Sequence, residues 1–214
     1  MSIAPEGRPF IAAALAVFAG LATLAWARGG AWLALPAAWL PVTLWVPAFF
    51  RDPARAGPRD PRLVIAPADG RIVSVGEVVE PDLIGGGALR ICVFMNVFNV
   101  HVNRHPVSGT VTHRVYRRGR FFNASLDKAS VHNEQMTLGV ASAHGPVVVR
   151  QIAGLVARRI VTDPVEGTAV RQGERLGLIR FGSRVDTLLP AGARARVAVG
   201  DHVVAGVTVI AEWP

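Results

Sequence analysis

The stretch Arg71-Ile72-Val73-Ser74-Val75 is one of a series of short Val- and Ile-rich runs that fill the chain from Leu63 onward. Gly, Pro and Asp separate these runs, and apolar runs of this length bounded by turn residues predict β-strands. The predicted strands are residues 64–65, 71–75, 88–93, 110–112, 147–149, 176–179, 194–199 and 207–210. The sequence therefore predicts a mostly β domain, with a short helix or compact loop over residues 123–130.

Two C-terminal segments, residues 170–177 and 199–206, share a pattern of their own. Each has a hydrophobic residue, a tight turn containing Gly and a returning strand. Such turns recur in the flattened, sandwich-like barrels that carry lipoyl or biotinyl groups. We therefore expect a flattened sandwich-like barrel with turns of the lipoyl and biotinyl type.

The first fifty residues contain two long uncharged segments, residues 10–27 and 31–50, on either side of Arg28-Gly29-Gly30. Each approaches the roughly 20 apolar residues that a helix needs to cross the hydrocarbon core of a membrane. The pair predicts an N-terminal α-helical membrane hairpin. A cleaved signal peptide is the alternative for the first segment, but its basic flank is only Arg8 and a second apolar segment follows at once.

Three prolines, Pro36, Pro41 and Pro47, lie in the second apolar segment. Each removes a helical hydrogen bond, so the sequence leaves open whether the hairpin spans the bilayer or only enters it. Arginines then follow at positions 51, 55, 59 and 62, and by the positive-inside rule they predict a domain on the cytoplasmic side of the cell membrane. We expect residues 1–62 to form the hairpin and its basic junction, and residues 63–214 to form the β-rich domain.

Composition excludes several kinds of site. Cys92 is the only cysteine, so the chain has no intrachain disulfide and no multi-cysteine metal site, and we predict no metal. Lys128 is the only lysine, and pyridoxal enzymes hold their cofactor on a lysine.

The segment 94–106 alternates polar and apolar residues. As a strand it would place Asn99, His101, Asn103 and His105 on one face. These polar side chains would suit the lining of a site. The pattern fits equally well a half-exposed strand whose polar face simply meets solvent. On a regular strand His101 and His105 stand roughly 13 Å apart, so both would reach one reacting centre only if a bulge near Pro106 intervened.

Two other segments hold polar residues that a β core does not need. Asp69 lies in the turn Pro67-Ala68-Asp69-Gly70, where an aspartate that caps its own backbone is the common case. Gly182-Ser183 follows a predicted strand and by itself is an ordinary turn.

In combination these segments resemble the phosphatidylserine decarboxylases, in the short form of that family. The resemblance covers essentially the whole chain, because the membrane hairpin and the family motifs occur here in the family's order. The motifs are Phe49-Phe50-Arg51-Asp52-Pro53, Pro67-Ala68-Asp69-Gly70, Asn99-Val100-His101-Val102-Asn103-Arg104, the segment 123–130 with Asn133-Glu134, and Arg180-Phe181-Gly182-Ser183.

The resemblance implies a proenzyme that cuts itself between Gly182 and Ser183. The Ser183 hydroxyl would attack the Gly182 carbonyl to form an ester, and elimination with hydrolysis would leave a covalent pyruvoyl group at the position of Ser183. The products would be a large chain, residues 1–182, and a small chain, residues 183–214, which together form a heterodimer.

The resemblance also implies the reaction and its acid–base groups. Phosphatidylserine from the membrane would form a Schiff base with the pyruvoyl group, lose carbon dioxide and leave as phosphatidylethanolamine; a related serine-headed lipid is the open alternative. Asp69 matches the family aspartate of an Asp–His pair. His101 matches the first of two family histidines and is favoured as the acid–base residue, Arg104 stands at the place of the second, and His105 beside it is a possible helper in self-cleavage.

Two other function classes are weighed against this one. A membrane-tethered lipoyl- or biotinyl-type carrier would need a lysine in a Gly turn, and Lys128 lies far from both turns. A nucleic-acid-binding domain would explain the net charge of +8 but neither the hairpin nor Ser183, and the aromatic residues are too scattered for a base-stacking platform. We therefore predict no nucleic-acid partner.

Overall fold

The computed structural model describes residues 2–124, 129–154, 159–180 and 182–214. The chain forms two compact units, Met1–Ala54 and Arg55–Pro214. The division expected from the sequence, between residues 62 and 63, stays a prediction, and so does the cut between residues 182 and 183.

The first unit is built around two helices, α1 (Arg8–Arg28) and α2 (Ala34–Phe49). The indole Nε1 of Trp39 in α2 donates a hydrogen bond to the Ala14 carbonyl of α1, at 3.1 Å. The remaining elements are short 3₁₀ turns at Pro5–Gly7 and Gly30–Leu33 and the antiparallel strands β1 (Ser2–Ile3) and β2 (Arg51–Asp52).

The helical segments Pro5–Arg28 and Gly30–Phe49 are long and apolar enough to cross a membrane. Most of their side chains are exposed, and Trp26 is 86% and Leu44 65% accessible, whereas a helix in a protein core would bury such groups. Pro41 and Pro47 lie within α2, which continues through both. The apolar hairpin predicted from the sequence is confirmed, and it indicates association with a membrane.

The second unit is mostly strand. Its strands are β3 (Leu63–Ile65), β4 (Gly70–Glu80), β5 (Gly86–Met95), β6 (Val102–Arg104), β7 (Gly109–Arg117), β8 (Gln135–Ser142), β9 (Gly145–Ala153), β10 (Ile160–Thr162), β11 (Ala169–Val170), β12 (Arg175–Ile179), β13 (Ser183–Pro190), β14 (Arg194–Ala195), β15 (His202–Val203) and β16 (Val209–Glu212). A single turn of helix, α3 (Ala129–His132), precedes β8.

Eight strands form one curled antiparallel sheet in the order β11-β7-β8-β9-β13-β5-β4-β15. Two three-stranded sheets, β10-β12-β6 and β14-β16-β3, complete the unit, and the main apolar core contains residues from all three sheets. The predicted fold class, a mostly β flattened barrel with an N-terminal helical hairpin, is confirmed. The Gly turns are also present, with Gly173 at φ 83° and Gly206 at φ 73°.

The prediction of one continuous strand over residues 94–106 is wrong. β5 ends at Met95, and the Asn96 carboxamide oxygen accepts the Phe98 backbone N–H in a turn before β6 begins at Val102. Such a local hydrogen bond gives the backbone an alternative to the strand. Of the segment 123–130, α3 includes only Ala129 and Ser130, whereas residues 125–128, Lys128 among them, lie outside the described residues.

Candidate active site

Four neighbouring strands present their ends at one end of the large sheet. β9 and β5 finish there at Ala153 and Met95, and β13 begins at Ser183, paired with both of these residues. On the far side of β5, Arg71 pairs with Phe94, so β4 also begins at this end. Asp69, just before β4, therefore lies two strands from Ser183, a separation of about 10 Å at normal strand spacing.

The Ser183 side chain is completely buried at this end of the sheet. Within the part of the chain that the structure describes, its Oγ has no hydrogen-bond partner. Leaving a hydroxyl buried and unpaired costs about 1–3 kcal/mol, so a purely structural serine here would be unfavourable.

The carbonyl before Ser183 is tightly enclosed. Gly182 has φ 63°, in the left-handed region that favours glycine. A Cβ on Gly154 would lie 2.1 Å from the Gly182 carbonyl oxygen and 3.3 Å from the Ala124 Cβ. Gly154 therefore permits this oxygen to approach the backbone. Phe181, which completes the motif, lies outside the described residues.

A chain of buried polar side chains leads to the strand neighbour of Ser183. Thr162 Oγ1 donates to Gln151 Oε1 at 2.7 Å, and Gln151 Nε2 donates to Asn103 Oδ1 at 2.8 Å. Asn103 Nδ2 in turn contacts the Met95 sulfur at 3.5 Å. Because Met95 pairs directly with Ser183, this chain places the Asn103 segment beside the serine.

His101 is fully buried and lies two residues before Asn103. Its Nδ1 is 3.0 Å from the Asn99 carbonyl oxygen. A carbonyl only accepts hydrogen bonds, so Nδ1 carries the proton and Nε2 is the basic nitrogen of the neutral ring. The ring is thus held in the tautomer that a general base requires.

The Asp69 carboxylate is held by two partners within the second unit. Its Oδ2 accepts from Arg55 at 2.7 Å, and its Oδ1 accepts the Ala205 backbone N–H at 2.8 Å. Both partners are distant in sequence, so these bonds tie the turn to Arg55 and to the segment at Ala205, and not to its own backbone as the turn sequence suggested. An Asp69–histidine pair stays a prediction.

His105 is buried in another setting. Its backbone N–H bonds to the Glu174 carbonyl and its carbonyl to the Gly173 N–H, so it belongs with the Gly173 turn. Burial lowers the pKa of the His105 imidazole to about 4, with Glu174 opposing the shift. The ring is therefore neutral at pH 7 and a weak base.

The opposite face of β13 carries an ion pair that sequence reasoning missed. Arg184 Nε lies 2.7 Å from Asp186 Oδ1, and both side chains are fully buried. The Ser130 hydroxyl donates to Asp186 Oδ2 at 3.0 Å. The sequence did contain a sign of this ion pair. Two opposite charges lie two residues apart in a Val- and Leu-rich run, and residues at that spacing share one face of a strand, where they can pair.

The family model described as phosphatidylserine decarboxylase matches residues 42–211. The chain belongs to the phosphatidylserine decarboxylase family. It is 51% identical to the phosphatidylserine decarboxylase proenzyme of Aromatoleum aromaticum over 213 residues, which cover 99% of this chain and 96% of the relative. It is also 51% identical to the phosphatidylserine decarboxylase proenzyme of Beijerinckia indica subsp. indica over 215 residues, 98% of this chain and 89% of that relative.

Membership of the phosphatidylserine decarboxylase family confirms the resemblance seen in the motifs. The matched region includes Asp69, His101, His105 and Ser183.

Proposed function

We propose that this protein decarboxylates phosphatidylserine to phosphatidylethanolamine with a pyruvoyl group that it makes from its own Ser183. Family membership supports the reaction, and the word proenzyme in the names of both relatives supports a processed chain. The observation that carries the mechanism is the buried Ser183 hydroxyl, unpaired within the described residues and preceded by the enclosed Gly182 carbonyl.

Self-cleavage begins with the Ser183 hydroxyl. Its Oγ adds to the Gly182 carbonyl carbon, the C–N bond between the two residues breaks, and the freed amine takes the proton that the hydroxyl loses. Removal of the Cα proton of residue 183 then expels the Gly182 carboxylate from Cβ. The dehydroalanine formed in this way takes a proton at Cβ and becomes an imine. One water molecule then hydrolyses the imine, releasing ammonia and leaving the ketone.

His101 is the proposed acid–base residue. Its protonated Nδ1 faces Asn99, so Nε2 can take a proton from a donor and return it. His105, with its pKa near 4, is a weak base at neutral pH, and its proposed part is limited to help in self-cleavage. Asp69 is proposed to support the histidine electrostatically, from its anchored position before β4.

Ser183 and its neighbours fit the pyruvoyl group. The group supplies an electron sink for the electrons left when carbon dioxide departs. Ser183 pairs with Met95 and Ala153, and all three residues are fully buried, so the group would lie away from bulk water. The Asn103–Gln151 hydrogen bond fixes the segment after His101, so the histidine keeps one orientation when it protonates the product carbon.

Residues 1–182 and 183–214 are proposed to stay together as a heterodimer after the cut. The apolar helices α1 and α2 are proposed to anchor the protein in the cell membrane, with Arg55–Pro214 on the cytoplasmic side.

Mass spectrometry of the purified protein tests the mechanism. We expect two chains, the smaller beginning with pyruvoyl in place of Ser183. Ser183→Ala should stay uncut and inactive, whereas Thr208→Ala, a hydroxyl deletion elsewhere in the small chain, should still be cut. An intact chain with full decarboxylase activity would refute the mechanism. Turnover of phosphatidylserine against free serine and other serine-headed lipids distinguishes the substrate.

A further inference from the structure

Cutting the chain at Ser183 would turn the first residue of β13 into a chain terminus. Terminal residues fray unless something ties them down. Ser183 is paired on both sides, with Met95 and Ala153, but it is the last pair of each ladder. The residue that follows it is Arg184, whose side chain points to the other face of the sheet and is completely buried.

The Arg184 guanidinium makes contacts that reach beyond its own strand. It forms an ion pair with the Asp186 carboxylate, in which Nε lies 2.7 Å from Oδ1, and Nη2 donates a hydrogen bond to Oδ2 at 3.1 Å. Nη1 donates to the Ala124 carbonyl at 3.1 Å, and Nη2 also contacts the Ser130 hydroxyl. The bonds to Ala124 and Ser130 connect β13 to a separate part of the chain.

Asp186 completes this cluster from the same face. It accepts the Ser130 hydroxyl at 3.0 Å and lies opposite Cys92 on β5. A buried arginine is stable only when its charge is paired, and here the Asp186 carboxylate pairs the charge while the Ala124 carbonyl and the Ser130 hydroxyl accept further hydrogen bonds. Replacing a buried ion pair by apolar residues of similar volume is often neutral for stability, so this pair is weak evidence for a stabilising role and leaves room for a functional one.

We propose that Arg184 is a positioning residue, which holds residue 183 in the reactive place before and after the cut through Asp186, Ser130 and the Ala124 carbonyl. This rests on the proposed conversion of Ser183. It also proposes a function for the family motif at residues 123–130, because the Ser130 hydroxyl of that motif contacts Arg184 and Asp186 of β13. Misplacement of a reacting group by about 1 Å can cost roughly a hundredfold in rate.

The test replaces both charges together, as Arg184→Met with Asp186→Leu, so that neither is left buried and alone. Arg196→Ala is the matched control, since it removes an exposed arginine of the small chain that pairs with Glu212. Four quantities are measured: the melting temperature, the rate of cutting by small-chain mass, and kcat and KM per cut molecule. We expect a folded protein that is cut about tenfold more slowly or worse, with kcat per cut molecule reduced and KM unchanged.

Cutting and kcat within about twofold of wild type in the folded double variant would overturn the proposal. If the double variant does not fold, Ser130→Ala decides, because it deletes only one hydroxyl. Slower cutting in Ser130→Ala supports the role, and wild-type cutting refutes it. A wild-type protein that is never cut would instead refute the proposed function, independently of Arg184.

Discussion

The bare Cα of Gly154 lies against the carbonyl oxygen of Gly182, the oxygen of the peptide bond proposed to break. A Cβ at position 154 would come within 2.1 Å of that oxygen, a distance that no real contact permits. Gly154 belongs to the loop directly after β9, which pairs with β13, so the two strands bring these glycines together.

Gly154→Ala should therefore slow self-cleavage by about a hundredfold, because the scissile carbonyl has to move away from the Ser183 hydroxyl. The rate is measured by the appearance of the small chain on gels and by mass. Gly76→Ala is the matched control, since a Cβ there meets nothing within 4 Å. Normal cutting of Gly154→Ala would show that the close approach is not needed.

The two histidines should behave differently when replaced. His101→Ala should lower lipid turnover per cut molecule by about a hundredfold or more, the usual contribution of a general acid–base residue. His105→Ala should retain most of that turnover, because a ring with a pKa near 4 binds a proton too weakly to act as an acid–base group at pH 7. The measurement is kcat on phosphatidylserine vesicles; equal losses would mean that the roles are assigned wrongly.

Lowering the pH should destabilise the native state, because the unfolded chain binds a proton at His105 that the folded protein does not. The pKa of the unfolded imidazole is about 6.5 and that of the folded one about 4, so between these values only the unfolded state binds the proton. The native state therefore loses stability as pH falls from 6.5 to 4, by up to about 3 kcal/mol. Denaturant unfolding across this pH range should show a smaller decline for His105→Gln than for the wild type.

His113→Gln serves as the control for that experiment. His113 is exposed on β7, so this change removes a titratable ring without opening the core. If His105→Gln and the wild type lose stability in parallel, the buried imidazole is not the cause.

Asn133→Asp should destabilise the fold by about 3 kcal/mol or more. Asn133 Nδ2 donates to the carbonyls of Phe122 and Ala153, both at 2.8 Å, and Oδ1 accepts the Phe122 N–H. An aspartate would keep the acceptor and lose both donors in a fully buried place. Asn96→Asp is the matched control, because the exposed Asn96 uses its oxygen as an acceptor for Phe98. Equal free energies of unfolding for the two variants would contradict this reasoning.

Strands with a simple apolar pattern could be predicted from the sequence. The runs at residues 71–75 and 88–93 fall inside β4 and β5, and the hairpin follows from its length and lack of charge. β13 was missed because Arg184 and Asp186 break the apolar run, and only the folded chain shows that each neutralises the other. A charge in a strand suggests exposure until its partner is known.

The candidate site could be predicted only in part from the sequence, because contacts between distant segments form it. Gly182-Ser183 was expected to be a turn, whereas Ser183 begins a central strand, because its pairing with Met95 and Ala153 joins segments far apart in sequence. Gly154 carried no local sign at all, since its importance comes from a carbonyl that the fold brings to it. Local patterns identify residue types, and only tertiary contacts show which of them meet.

The central position of β13 has a consequence for the life of the protein after the proposed cut. β13 lies between β9 and β5, and β15 and β16, which also follow the cut, pair with β4 and β3. The precursor can fold as a single molecule, at a rate that does not depend on concentration. Once cut and denatured, the same core would have to form again from two separate molecules. After maturation the enzyme would therefore no longer refold readily, and its lifetime would be set by its rate of unfolding, that is, by kinetic stability.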